Sequence, residues 1–281
     1  MARVAAQLTN FTAGELSPRL DGRNDLSKYP AGCKTLENIV IYPHGAAARR
    51  PGTQFISEVK TNTAKTRLIP FEFSTTQTYV LEFGNQYMRV YKDKGRVETS
   101  PGTAFEISTP YLTAELFDIK FAQSADVMYL THPSHPTKKL SRTGHTAWTL
   151  TTVDFTNGPF LDSNISTTTL QPSGTSGSVT ITASASTFVS TDVDRLVRIG
   201  DGIAKITNFG SATSVTATTS TNFANTNAVT DWSLGAFSNT TGHPSCVTFF
   251  EQRLVFAATL NNPQTIYFSK SGDYENMDAN I

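Results

Sequence analysis

The chain has 281 residues, 38% of them hydrophobic and 16% charged, which is enough apolar material for one large β domain or two modest ones and too much for a disordered chain. Lys plus Arg and Asp plus Glu both number 23, giving a formal net charge of zero. That balance excludes a broad nucleic-acid-gripping surface, because phosphate contacts need clustered Lys and Arg.

The amino-terminal part, residues 1–66, reads as a docking and backbone-shaping segment. Gly14, Pro18, Gly22, Pro30, Gly32, Pro43, Gly45, Pro51 and Gly52 punctuate residues 10–55, each either permitting positive φ or fixing φ near the proline value. Within it, residues 25–39 are expected to form a short helix. Asn24 or Asp25 would be its N-cap, and Leu26, Tyr29, Cys33, Leu36 and Ile39 its apolar stripe. Pro30 either sits in the first turn of that helix or breaks it. The segment ends in Arg49-Arg50-Pro51-Gly52-Thr53, where Pro51-Gly52 suits a type II turn holding two guanidinium groups just before a strand.

From Arg67 onward the period changes to two. RLIPFEF, TYVLEFG and YMRVYKD form a first strand group, and LFDIKFA, VMYLTH and TKKLSR a second; residues 146–155 offer the second group a further strand. Together they occupy residues 67–160. A third group, CVTFF, RLVFAATL and QTIYFSK, lies in residues 236–281. The first two begin about 50 residues apart, in the range of propeller blades. Between the second and third groups, residues 161–235 are crowded with Ser, Thr, Asn and Ala. Period-two alternation and the Gly200-Asp201-Gly202 turn make this an all-β insert rather than a linker. The fold class is therefore mainly β: an N-terminal platform segment with a short helix, blade-like antiparallel sheets of an incomplete propeller type, and a small all-β insert.

Candidate chemistry is sparse. His132-Pro-Ser-His135 reads as a structural turn, since no Cys, Asp or Glu nearby in sequence completes a zinc set. Glu72, Glu82 and Asp118 alternate with core residues and read as a solvated face rather than a hydrolytic pair. Residues 273–278 lack the order of an EF-hand. Cys33 and Cys246 match no metal or redox spacing and are expected to be buried reduced thiols, as suits a reducing cytoplasm. The N-terminus has no apolar signal core and no run reaches the length of a membrane span. No catalytic residue, metal or cofactor is expected, and the chain is not expected to be an enzyme. The docking candidates are Arg19, Arg23, Arg49 and Arg50, with Pro51 and Gly52 as turn formers. Planar guanidinium forks suit carboxylates on a partner.

These stretches resemble a known family. The pattern GELSPRLxGRxDLxKYxxG…LxN…PxG…RRPGT, followed by RLIPFEFSTTQTYVLEFGNQYMRVY, is similar to the amino-terminal part of tail nozzle proteins of short-tailed, podovirus-type bacteriophages, also called tail tubular protein B. ELFDIKFAQSADVMYLTHPSHPTKKLSR and HPSCVTFFEQRLVFAATLNNPQTIYFSKSGDYENM extend the likeness beyond the insert. The resemblance implies a virion tail protein assembled in the host cytoplasm. It would form a homo-oligomer, a hexamer, below the portal-adaptor ring, and help to seat fibre or spike proteins. Double-stranded DNA would pass through without tight binding, and carboxylates on outward strand positions would line the wall. Family members are longer, so the chain is expected to be either the upper part of a nozzle or a shortened one. The alternative reading is a carbohydrate-directed tail binding protein or hydrolase on the same β scaffold.

Overall fold

The computed structural model describes residues 7–278. They form two compact units, divided between Phe55 and Ile56. Residues 56–66, expected to belong with the amino-terminal segment, cluster with the larger unit.

In the smaller unit the expected helix over residues 25–39 is replaced by turns, one three-residue 3-10 helix, Tyr29–Ala31, and short strands. The reason lies in Pro30 and in competing partners for the backbone. Pro30 has no N–H, and Gly14–Glu15 pairs in parallel with Gly32–Cys33, fixing Cys33 in an extended conformation. Asn38 then takes a left-handed φ of 58° and opens an antiparallel hairpin, Ile39–Ile41 with Ala47–Arg49. Its loop is Pro43-His44-Gly45. Gly45 N–H donates to Tyr42 O at 2.9 Å, Tyr42 N–H donates to Ala46 O at 2.9 Å, and Gly45 has φ 100°. This is the three-residue hairpin loop with glycine at the left-handed position. The same glycine carries the amino-terminal strand: Phe11 N–H donates to Gly45 O, and a Cβ there would lie 3.0 Å from Asn10 Oδ1.

In the larger unit the three strand groups are antiparallel meanders of the blade type. The first runs Glu106–Ser108, Tyr87–Lys92, Thr78–Gly84, Arg67–Glu72 across the sheet, with Gly95–Arg96 added to the side of Tyr87–Lys92. The second runs Lys120–Ser124, Val127–His132, His135–Arg142, Trp148–Thr152, and so takes up the additional strand expected after TKKLSR. The third runs Cys246–Phe250, Arg253–Ala257, Ile266–Phe268. Two-residue turns close most hairpins. Asn85-Gln86, Ala125-Asp126 and Glu251-Gln252 each place at least one side-chain-bearing residue at positive φ. At Gly84 a Cβ would fall 2.2 Å from the Tyr87 ring, so the turn requires glycine there.

The alternation that marked these strands decides how they stack. Ile69, Phe71, Leu81, Phe83, Met88 and Val90 of the first sheet meet Met128, Leu130, Leu140 and Trp148 of the second in one core. Trp148 stands edge-on to Phe71 and Tyr79, with centroids 4.8 and 5.3 Å away. Val127 and Tyr129, on the opposite face of the second sheet, enter a separate core with Leu254, Phe256, Val247 and Phe249 of the third. The second sheet is thus covered on both faces, and the three sheets follow one another as blades do. Arg67 Nη1 donates to Leu116 O and Ile119 O, and the Gln123 amide brackets the backbone of Glu72, so polar contacts also join the first sheet to the second.

The Ser/Thr-rich insert is one six-stranded sheet: Leu170–Pro172, Ser178–Ala183, Ser214–Thr221, Gly202–Ser211, Leu196–Ile199, Trp232–Leu234. The turn at Gly200-Asp201 joins Ile199 to Gly202 as the sequence indicated. Its core of Ile181, Phe188, Val197, Ile206, Val215 and Phe223 is its own.

Candidate functional site

The smaller unit carries the docking candidates, and its defining property is the absence of a core. Of residues 7–55, Gly45 is the one buried residue. None of their side chains enters the three hydrophobic clusters. Leu8, Ile39, Val40 and Tyr42 are 41–45% exposed, and Phe55 is 77% exposed. What orders the unit is backbone pairing and local polar contacts. Leu16 N–H donates to Cys33 O, Leu36 N–H to Glu15 Oε2, and Gly22 N–H to Tyr29 Oη, each within 3.0 Å. Two-stranded ribbons of this kind are marginal without an apolar face to bury.

The four arginines differ in what already holds them. Arg23 grips Asp25 in a bidentate pair, Nε to Oδ1 at 2.7 Å and Nη2 to Oδ2 at 2.6 Å, fully in solvent. That contact holds the Asp25 carboxyl below its usual range. Arg50 Nε donates to Asn38 Oδ1 at 2.6 Å, and its N–H to Asn38 O, closing the base of the hairpin. Arg19, in the 3-10 helix Pro18–Leu20, and Arg49, opposite Ile39 on the hairpin, are exposed and make no ion pair among the described residues. Arg19 and Arg49 are therefore the free guanidiniums, and Arg23 and Arg50 are the occupied ones.

Two expectations for this end are corrected. Pro51 and Gly52 do not form a type II turn: Gly52 is not at positive φ, and residues 51–59 carry no turn or strand. The two arginines end a strand rather than precede one. The extended course follows from Arg50, whose bond to Asn38 sets the exit direction of the hairpin before the proline is reached. The thiols are corrected too. Cys33 is half-buried and Cys246 exposed, both free, because the strand Cys246–Phe250 lies at the edge of the third sheet.

Three polar assemblies in the larger unit were not foreseen. Glu82, expected on a solvated face, is completely buried. It shares neither the face nor the core of Leu81 and Phe83. Residues 56–66 pass over the opposite face, where Glu82 accepts from Tyr87 Oη at 2.6 Å, from Tyr91 Oη, and from Lys60 N–H at 3.2 Å. Burial and the carboxylate together push the Tyr91 hydroxyl up to about 12 and raise Tyr87 as well. Lys60 and Arg89 both pair with Glu106 beside it. The covering segment was missed because residues 56–66 form no strand and have no periodicity to announce it.

In the insert, Asp192 and Arg195 form a buried ion pair at 2.8 Å. Asp192 also accepts from Val189 N–H and Thr240 Oγ1, and Arg195 Nε donates to Gly235 O. Every charge is met, and the pair fastens the insert to the loop that leads into the third meander. The third assembly is imidazole-rich. His132 and His135 flank the two-residue turn Pro133-Ser134, with ring centroids 4.9 Å apart, and His135 Nε2 lies 2.9 Å from Glu115 Oε2. His243 is buried against Asn239 and its pKa is lowered to about 4, by burial first and His135 second. Glu115 supplies the carboxylate that the local sequence lacked. Even so, no group of three or more His, Cys, Asp or Glu able to hold a metal occurs among the described residues.

Two concavities adjoin the insert. One of about 260 Å³ is lined by Thr137, Phe155, Lys205, Phe237 and His243. A more open groove of about 1000 Å³ runs past Phe160, Arg198, Phe250, Ile266 and Phe268. Among the described residues no helix is long and apolar enough to cross a membrane.

By its architecture the protein is a mainly β scaffold of stacked blade-like sheets, preceded by a coreless unit. No family model matches the sequence, and no curated protein matches it.

Proposed function

We propose that the chain is a structural component of a phage tail, a nozzle protein whose copies form a hexameric ring beneath the portal-adaptor ring and line the path of the genome during ejection. The observation that carries this reading is the coreless unit. Residues 7–55 are ordered by backbone hydrogen bonds yet leave Ile39, Val40, Tyr42 and Phe55 in water. Such a unit gains its apolar burial from a partner, and it coincides with the stretch that resembles the adaptor-facing platform of the nozzle family. Arg19 and Arg49, without an ion pair among the described residues, are the guanidiniums available to carboxylates on that partner. The zero net charge fits a conduit, since each retained phosphate contact would slow passage.

Electron microscopy of the purified protein tests the reading, together with its binding to the adaptor ring. Six-fold rings are expected, with adaptor binding weakened at least about tenfold by Arg19→Ala/Arg49→Ala while the β unit stays folded. A monomer that cleaves or retains host glycan would overturn it in favour of the carbohydrate-directed alternative. Tight, salt-sensitive binding of duplex DNA would overturn the conduit role.

A further inference from the structure

The stack of three sheets has two ends, and both are apolar. On the third sheet, register places Cys246, Thr248 and Phe250 beside Ala257, Val255 and Arg253, and these beside Ile266 and Phe268, on the face turned away from the core. Phe250 is 56% exposed, Ile266 58% and Phe268 44%. Thr248 and Arg253 are the polar members of this face, and Phe250, Ile266 and Phe268 are more apolar surface than a fully solvated face carries. The strand Ile266–Phe268 is also an edge, paired on one side alone.

The first sheet presents the other end. On its outer face Leu68, Pro70 and Val80 are exposed, Leu68 by 61%, beside the part that residues 56–66 cover. Pro70 and Val80 are direct cross-strand partners, so the apolar patch is continuous. Glu72 stands at its margin on the strand Arg67–Glu72, and Arg253 stands on the third-sheet face.

Inside the chain the first sheet packs on the second and the second on the third, through alternate apolar residues. The outer face of the third sheet has no sheet packed on it among the described residues; Phe250, Ile266 and Phe268 remain exposed along the open groove whose other wall includes Arg198 of the insert. Among the described residues, a second sheet face with exposed apolar side chains lies at the opposite end of the same stack.

We infer that the stack continues between copies of this chain, the third-sheet face of one copy packing on the first-sheet face of the next. The contact is head-to-tail, with a different patch on each side, and such contacts close a ring when the rotation per copy divides a full turn. This deepens the ring reading proposed above and rests on it. Phe250 and Phe268, exposed aromatics on the two outer strands of this sheet, are the anchors. Glu72 and Arg253 supply opposite charges across the join.

The test uses the full chain with substitutions at exposed positions, which leave the internal cores untouched. Phe250→Glu/Phe268→Glu disables one face, and Leu68→Glu/Val80→Glu the other. Each variant alone is expected to be monomeric by light scattering, with association weakened about thirtyfold or more, and far-UV circular dichroism unchanged. Mixed in equal amounts, the two are expected to form dimers and nothing larger, since each supplies the face the other lacks. A second measurement places Val80→Cys in a Cys33→Ser background and bridges it to Cys246 with a short bismaleimide. A ladder of linked copies is expected, and a yield equal to that of Cys33→Ser alone counts against the contact. Variants that assemble like the natural chain, or a mixture that stays monomeric, sink the stacking and leave the ring reading standing. A natural chain that is monomeric at every concentration sinks both.

Discussion

Replacing Glu82 by alanine removes the one group that gathers residues 56–66, Tyr87 and Tyr91 at a single point. The carboxylate accepts three hydrogen bonds, from Tyr87 Oη, Tyr91 Oη and Lys60 N–H. Bonds to a charged acceptor contribute about 1.5–3 kcal/mol each, offset by the cost of holding a carboxylate out of water. After the substitution Tyr87, 3% exposed, keeps a buried hydroxyl without its acceptor, a penalty of about 1–3 kcal/mol. Tyr91 is half-buried and can find water. The net expectation is a loss of about 3 kcal/mol. Glu82→Gln keeps the acceptor oxygen and the volume, and should cost about 1 kcal/mol. Urea unfolding gives the totals, and amide hydrogen exchange at Lys60 gives the local effect. Glu82→Ala should raise exchange there before the sheet itself opens. A cost below about 1 kcal/mol with unchanged Lys60 protection would refute the view that this carboxylate holds the covering segment.

Asp192→Ala leaves the Arg195 guanidinium buried and half-met, so a loss of about 3–5 kcal/mol is expected by urea unfolding. Asp192→Ala/Arg195→Met, which removes both charges, should recover most of it, and equal losses for the two would count against the pair. His243 titrates at about 4 in the folded protein, below its ordinary value near 6.5. The unfolded chain therefore binds the extra proton first, and stability present above pH 6.5 is lost as pH falls towards 4. The whole effect is about 3 kcal/mol. His132, also lowered by burial and by His135 against Glu115 and Asp118, acts in the same direction. His243→Gln should flatten the fall in thermal midpoint between pH 6.5 and 4. An undiminished slope would place the proton uptake elsewhere.

The strands were legible where one face is buried. In RLIPFEF and TYVLEFG the alternate residues Ile69, Phe71, Tyr79, Leu81 and Phe83 all reach the core, because period two is what a half-covered sheet selects. The insert could be read from the same signal despite its Ser/Thr content. The amino-terminal unit could not. Its apolar residues obey no internal core, so the helical spacing of Leu26, Tyr29, Cys33, Leu36 and Ile39 carried no packing information, and Pro30 and the pairing of Cys33 with Glu15 prevailed. Glu82 was misread for a related reason. Alternation tells which face a residue occupies, and is silent on what a later or earlier segment lays over that face. The same limit hid the buried Asp192–Arg195 pair, whose cover comes from Thr240 and Gly235. The arginines proposed for docking were visible as residue types, but which of them already hold a partner in the chain depended on Asp25 and Asn38.

The coreless unit has a consequence for timing. A segment held by backbone pairing and exposed polar contacts, with no apolar core, opens readily, and its amides and peptide bonds are then open to exchange and to protease. If a partner covers Ile39, Val40, Tyr42 and Phe55, as the proposed assembly requires, that opening is shut, and protection of residues 7–55 then reports on binding. Until then residues 7–55 are the part of the chain most open to attack, and the strands around the three hydrophobic clusters the least.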